Sequence, residues 1–189
     1  VGTSMGGLIG MALASLPNTP VRKLVLNDVG PAIRFEAIQR IAGYLGLPLF
    51  WHSEEEAAAA LWSVSQSFGP HTPAEWLALT RPQLVATTKD GVSGFKSHYD
   101  PAIAVPVRAA TPELMAAGEA LLWQAWDRIT APTLLLRGAE SDLLSPETAQ
   151  AMTQRGPRAH LHELPGVGHA PTLVAADQRA AVRDFLLGP

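Results

Sequence analysis

The first seven residues, Val1-Gly2-Thr3-Ser4-Met5-Gly6-Gly7, constrain this chain more than any other stretch. Gly2, Ser4 and Gly6 fit G-x-S-x-G, a turn in which a strand stops, reverses sharply and opens a helix, with the serine hydroxyl exposed at its tip. Such a turn holds its serine in a strained backbone conformation. The flanking glycines are expected because a Cβ on either side would meet the neighbouring strand or helix. A small-and-apolar run, Leu8 to Leu16, follows as the expected helix, stopped by Pro17 and Asn18. In a chain of 189 residues the pattern arises by chance about one time in fifteen, so the other residues must decide whether Ser4 carries chemistry. Val1 stands where the strand before the turn should end, and the chain therefore reads as a fragment of a longer protein.

Composition narrows the class. Apolar residues make up 47% and charged residues 16%, enough for a packed core and unlike a disordered chain. A net charge of −3 without any Lys/Arg run argues against a nucleic-acid partner. There is no cysteine, so disulfides, thiolate metal sites and cysteine nucleophiles are excluded. That absence fits a reducing compartment, and a cytoplasmic location is expected. No apolar run reaches the roughly 18 residues that span a bilayer, so no membrane partner is expected.

Strand signals lie at the two ends of the chain. Arg22–Val29 contains an uninterrupted aliphatic run ending in polar residues and Gly30-Pro31, the pattern of a strand buried on both faces. Thr133–Arg137 runs into Gly138, and Ala159–Leu164 into Pro165-Gly166. Between them Ser145-Pro146-Glu147 predicts a helix start, closed by Gly156-Pro157. A last helix over about 176–187 places Val182, Phe185 and Leu186 on one face. Strand–helix alternation with short connections predicts right-handed crossovers and a parallel sheet.

The middle reads differently, as an insert without strands: 1–30 core, 31–130 all-helical lobe, 131–189 core. Ser53 before three glutamates, the capping box Thr72-Pro73-Ala74-Glu75, a break at Pro82, a turn at Asp90-Gly91 and a helix over Glu119–Asp127 mark it. Trp51, Trp62, Trp76, Trp123 and Trp126 fall in this segment, as packing residues or, for one or two, as the lining of an apolar pocket.

A serine hydroxyl needs a base, and that base needs a carboxylate to hold its tautomer. Gly138-Ala139-Glu140-Ser141-Asp142 follows one strand and Gly166-Val167-Gly168-His169 the next, both at the carboxyl edge where Ser4 sits. The order Ser4, Asp142, His169 matches one arrangement of this chemistry. Asp28 also ends a strand and stays open as an alternative acid, with turn formation before Gly30 as its plain reading. Glu140 reads as a solvated neighbour. His160 and His162 alternate along a strand, and His52, His71 and His98 read as surface or packing residues without metal-ligand spacing.

Four pieces in order, Gly2–Gly7, Leu24–Pro31, Pro132–Asp142 and Gly166–His169, resemble an α/β-hydrolase-fold protein with a helical cap, nearest the bacterial branch of esterases, enol-lactonases and meta-cleavage C–C hydrolases. The resemblance implies α/β architecture: the C-terminal portion of that fold, parallel strands with flanking helices, and an inserted all-helical cap. It implies Ser4 as nucleophile, His169 as general base and acid, Asp142 as orienting carboxylate, and the Met5 N–H as an oxyanion donor. It implies a small-molecule substrate, an ester, lactone or β-diketone, and no cofactor. The alternatives are a ligand-binding protein without turnover, or a fragment inactive for want of its N-terminal part.

Overall fold

The computed structural model describes residues 1–188. Four parallel strands form the main sheet in the order β1 (Gly2–Thr3), β2 (Leu24–Asn27), β5 (Thr133–Gly138), β6 (His160–Leu164). α1 (Met5–Ala14) links β1 to β2, α2 (Phe35–Ala42) comes after β2, α7 (Pro146–Gln154) links β5 to β6, and α8 (Ala176–Leu187) follows β6. Every residue of β2 and of β5 is buried, as their unbroken apolar runs predict.

Alternation along these strands divides the core in two. Leu24, Leu26 and Leu135 join Met11, Trp126, Leu144 and Met152 in one cluster. Val25, Leu134 and Leu136 join Leu164 and Val167 in the other, with Val182 and Phe185 of α8 packed against them. Leu186 is 37% exposed and does not share that face as predicted.

The chain separates into two compact units. The sheet unit holds residues 1–38, 67–69 and 110 onward; the inserted unit is Gln39–Gln66 with Pro70–Ala109. The insert is therefore shorter than the 31–130 read from sequence. α6 (Pro112–Arg128) belongs with the sheet, and Trp126, fully buried, donates its indole N–H to the Arg155 carbonyl at 3.0 Å. Trp123 lies beneath the Arg155 guanidinium, 4.5 Å from its ring centroid.

The inserted unit is not all-helical. Besides α3 (Glu54–Ser65), α4 (Pro73–Thr80) and α5 (Ala104–Arg108), it contains an antiparallel hairpin, β3 (Leu84–Lys89) and β4 (Val92–Ser97). Asp90 and Gly91, read from sequence as a turn, have φ of 51° and 79°, the two positive values that a tight hairpin turn requires. The helix starts are as predicted: Ser53 accepts from Glu56 N–H at 3.1 Å, and Thr72 and Glu75 form the reciprocal capping box. Trp62 and Trp76 pack edge to face at 4.9 Å beside His71, lining an apolar groove of about 410 Å³ on this unit. Among the described residues no helix is long and apolar enough to cross a membrane.

The turn at Ser4 is built by close backbone approach. Ser4 N–H donates to the Asn27 carbonyl at 3.1 Å, and the Ser4 carbonyl accepts from Gly7 and Leu8 to start α1. A Cβ on Gly2 would lie 2.4 Å from the Gly6 oxygen and 2.7 Å from the Gly7 Cα; one on Gly7 would lie 2.4 Å from Val29 Cγ1. A Cβ on Gly6 would meet nothing within 4 Å. The steric need expected at Gly6 thus falls on Gly7, one residue further along the helix.

Gly2→Ala should cost about 1–3 kcal/mol or more of unfolding free energy, since backbone must move. Gly6→Ala should be neutral or stabilise by up to about 1 kcal/mol, as a helical glycine replaced in open space. Trp126→Ala should cost about 3–5 kcal/mol. Denaturant melts of the three variants check all of these values.

Candidate active site

Three strand ends meet at the carboxyl edge of the sheet. Ser4 follows β1 with φ 50° and ψ −122°, a region that non-glycine residues seldom occupy. This is the strained serine that the G-x-S-x-G pattern predicts. Asp28 follows β2, also with positive φ (54°), and its backbone N–H donates to the Leu136 carbonyl at 2.8 Å. His169 follows the turn after β6; the Gly168 N–H donates to the Ser67 carbonyl at 2.6 Å, and the His169 carbonyl accepts from the Ser67 hydroxyl at 3.1 Å. A Cβ on Gly138 would sit 2.4 Å from the Val167 oxygen, so glycine at the end of β5 lets the histidine loop lie directly against it.

The side chains form a continuous line. His169 Nε2 lies 3.0 Å from Ser4 Oγ, and His169 Nδ1 lies 2.8 Å from Asp28 Oδ2. An ionised carboxylate only accepts, so Nδ1 carries the proton and the lone pair of Nε2 faces the serine hydroxyl. Asp28 is wholly buried and His169 is 7% exposed. Both Asp28 oxygens are engaged: Oδ1 accepts from Gly138 N–H at 2.9 Å, and Oδ2 accepts from the Ser141 hydroxyl at 2.6 Å as well as from His169. The N–H of Met5, the first residue of α1, has no acceptor within the helix and lies next to Ser4 in the chain.

This geometry corrects one sequence expectation. Ser4 and His169 come together as read, but the carboxylate at Nδ1 is Asp28 and not Asp142. With Ser4 and Asp28 holding its two ring nitrogens, His169 has no hydrogen-bonding position left for a second acid. Asp142 lies one residue past Ser141, and it is Ser141 that turns inward to reach Asp28. Two aspartates that follow strands, Asp28 directly after β2 and Asp142 in the loop after β5, carry a similar local signal. The feature that separates them, the side chain seated against the end of β5, is non-local. The remaining histidines take no part: His160 and His162 stand exposed on β6, and His52, His71 and His98 lie in the inserted unit. Among the described residues no group of three His, Asp or Glu side chains could hold a metal ion.

Comparison with known proteins agrees with the fold. A model of the alpha/beta hydrolase family matches residues 1–185. A 3-hydroxybutyrate-oligomer hydrolase of Cupriavidus necator is 50% identical over 189 residues, which cover 99% of this chain and 64% of that protein. A solved alpha/beta hydrolase of Novosphingobium aromaticivorans superposes with a TM-score of 0.80 at 36% identity, over 98% of this chain and 63% of its own. A solved structure from Rickettsia typhi gives a TM-score of 0.82 at 28% identity, over 98% and 60%. The chain thus spans less than two thirds of the length of each of these relatives. With the parallel sheet, the strained serine turn and the family match over nearly its whole length, the chain belongs to the alpha/beta hydrolase family.

Proposed function

We propose that this chain carries the catalytic residues of a serine ester hydrolase that works through an acyl-enzyme. The observation that supports this most is the line Ser4 Oγ–His169 Nε2 (3.0 Å) and His169 Nδ1–Asp28 Oδ2 (2.8 Å). Ser4 Oγ attacks the ester carbonyl while His169 Nε2 takes its proton. The imidazolium so formed is stabilised by the Asp28 carboxylate, which stays ionised. Negative charge moves to the carbonyl oxygen, where the Met5 N–H at the positive end of α1 is placed to donate. His169 then returns the proton to the departing alkoxide, leaving Ser4 esterified. Water, deprotonated by His169, attacks that ester; the acid product leaves and Ser4 regains its proton.

For substrate we infer short oligoesters of a small hydroxy acid, with 3-hydroxybutyrate oligomers as the first candidate. The support is the 50% identity to a protein named for hydrolysing them. Such a substrate fits the class read from sequence, a small and largely apolar ester, and among esters, lactones and β-diketones it favours the first. Each cut of an oligomer frees one hydroxyl and one carboxylate, so the leaving group is an alkoxide that a proton from His169 must neutralise.

In the natural full-length protein, Ser4→Ala and His169→Ala should each lower the release of 3-hydroxybutyrate from its dimer or trimer by about 10³-fold or more. Asp28→Asn should do so to a similar degree, because the amide cannot hold the required tautomer. Asp142→Asn should stay within about threefold of the parent, as expected of a substitution outside the reacting line. Rates from product titration decide the matter: a large loss in Asp142→Asn with a small one in Asp28→Asn would overturn the assignment of the acid.

A further inference from the structure

We infer that Ser141 is a positioning residue of this site, a fourth member that fixes the Asp28 carboxylate through its hydroxyl proton. The inference rests on the hydrolase reading above. Ser141 is 5% exposed and lies in the loop that leaves β5. Its oxygen accepts from the backbone N–H of Leu143 at 3.2 Å and of Leu144 at 3.1 Å. A serine oxygen has two lone pairs and one proton. With both lone pairs occupied, the proton has one direction left, toward Asp28 Oδ2 at 2.6 Å. The hydroxyl is therefore a committed donor, and it donates to the same oxygen that receives His169 Nδ1.

The loop that presents Ser141 is itself clamped. Arg137, 3% exposed, donates from Nε to the Leu144 carbonyl at 3.0 Å, and its Nη1 lies 2.7 Å from Glu163 Oε1. The Ser141 N–H donates to the Gly138 carbonyl at 2.9 Å. Ser141 thus has no freedom to turn away, and Asp28 is gripped by a donor from β5 on one oxygen and by two donors on the other. A carboxylate with both oxygens held cannot rotate about its Cβ–Cγ bond, so the oxygen facing Nδ1 stays in the imidazole plane through proton transfer. Donation by Ser141 also draws negative charge from Oδ2, which tempers how strongly Asp28 stabilises the imidazolium.

Both effects can be read in the full-length protein, using a p-nitrophenyl ester and kcat/KM profiles from about pH 5 to 9. Ser141→Ala should lower kcat by about tenfold with KM within about twofold, because the lost contact serves the reacting line and not substrate binding. The acidic limb of the profile should move to higher pH, since an Asp28 relieved of one donor holds the imidazolium longer. Ser141→Thr, which keeps the hydroxyl, should restore both the rate and the limb. Ser141→Cys, similar in shape but a weak donor, should shift the limb in the same direction as alanine, and it carries the test if the alanine variant does not fold. A limb unmoved in both Ser141→Ala and Ser141→Cys would reduce Ser141 to a loop cap and overturn the inference. Ser4→Ala serves as the reference: turnover lost there but indifferent to Ser141 removes this inference alone, whereas turnover kept in Ser4→Ala removes the hydrolase reading with it.

Discussion

A carboxylate without solvent contact is the constraint on which the rest of this structure turns. Asp28 is wholly buried, and an ionised group in that position is tolerated only when its lone pairs are filled. Three donors engage both of its oxygens: Gly138 at the end of β5, Ser141 in the loop beyond it, and His169 after β6. The same requirement therefore draws the ends of β2, β5 and β6 to one point. It also explains the glycine at 138, whose missing Cβ lets the histidine loop lie against the end of β5.

The serine arrives by a different route. Its turn depends on backbone sterics at Gly2 and Gly7 and on the Ser4 N–H bond to Asn27, the residue before Asp28. Ser4 and Asp28 thus each follow one of a paired couple, Thr3 and Asn27, at the ends of the adjoining strands β1 and β2. Asn27 strengthens the junction: its amide donates to Thr3 Oγ1 at 3.0 Å and to the Pro171 carbonyl at 2.7 Å, tying both strands to the loop that carries His169. Imidazole position is therefore determined from three directions, the kind of over-determination that keeps a strained φ in place at Ser4.

Much of this was legible in the residues. The G-x-S-x-G turn and the Gly-x-Gly-His loop are local patterns whose chemistry follows from spacing, and Ser4 and His169 meet as they imply. β2 and β5 were readable from unbroken apolar runs, β6 from the turn signal Pro165-Gly166 that follows it, and the starts of α3, α4 and α7 from capping residues. The carboxylate that His169 meets was not, because the difference between Asp28 and Asp142 depends on which side chain the loop after β5 turns inward, and there Ser141, held by the Leu143 and Leu144 N–H groups, reaches Asp28. The hairpin of the inserted unit escaped for another reason. Its turn residues Asp90-Gly91 were visible, but β3 and β4 alternate weakly and contain a single buried residue, so no apolar period marked them. The β-branched run Val85, Thr87, Thr88 on one side of that turn was the available signal.

In the proposed reaction Asp28, through His169, activates Ser4. The most direct measurement is the rate at which a fluorophosphonate probe labels the protein, read as intact mass, for the parent, Asp28→Asn and Asp142→Asn. One adduct, mapped to Ser4, is expected, formed at about the parent rate in Asp142→Asn and slower by orders of magnitude in Asp28→Asn. Rapid labelling of Asp28→Asn together with loss in Asp142→Asn, or an adduct on any residue other than Ser4, would contradict it.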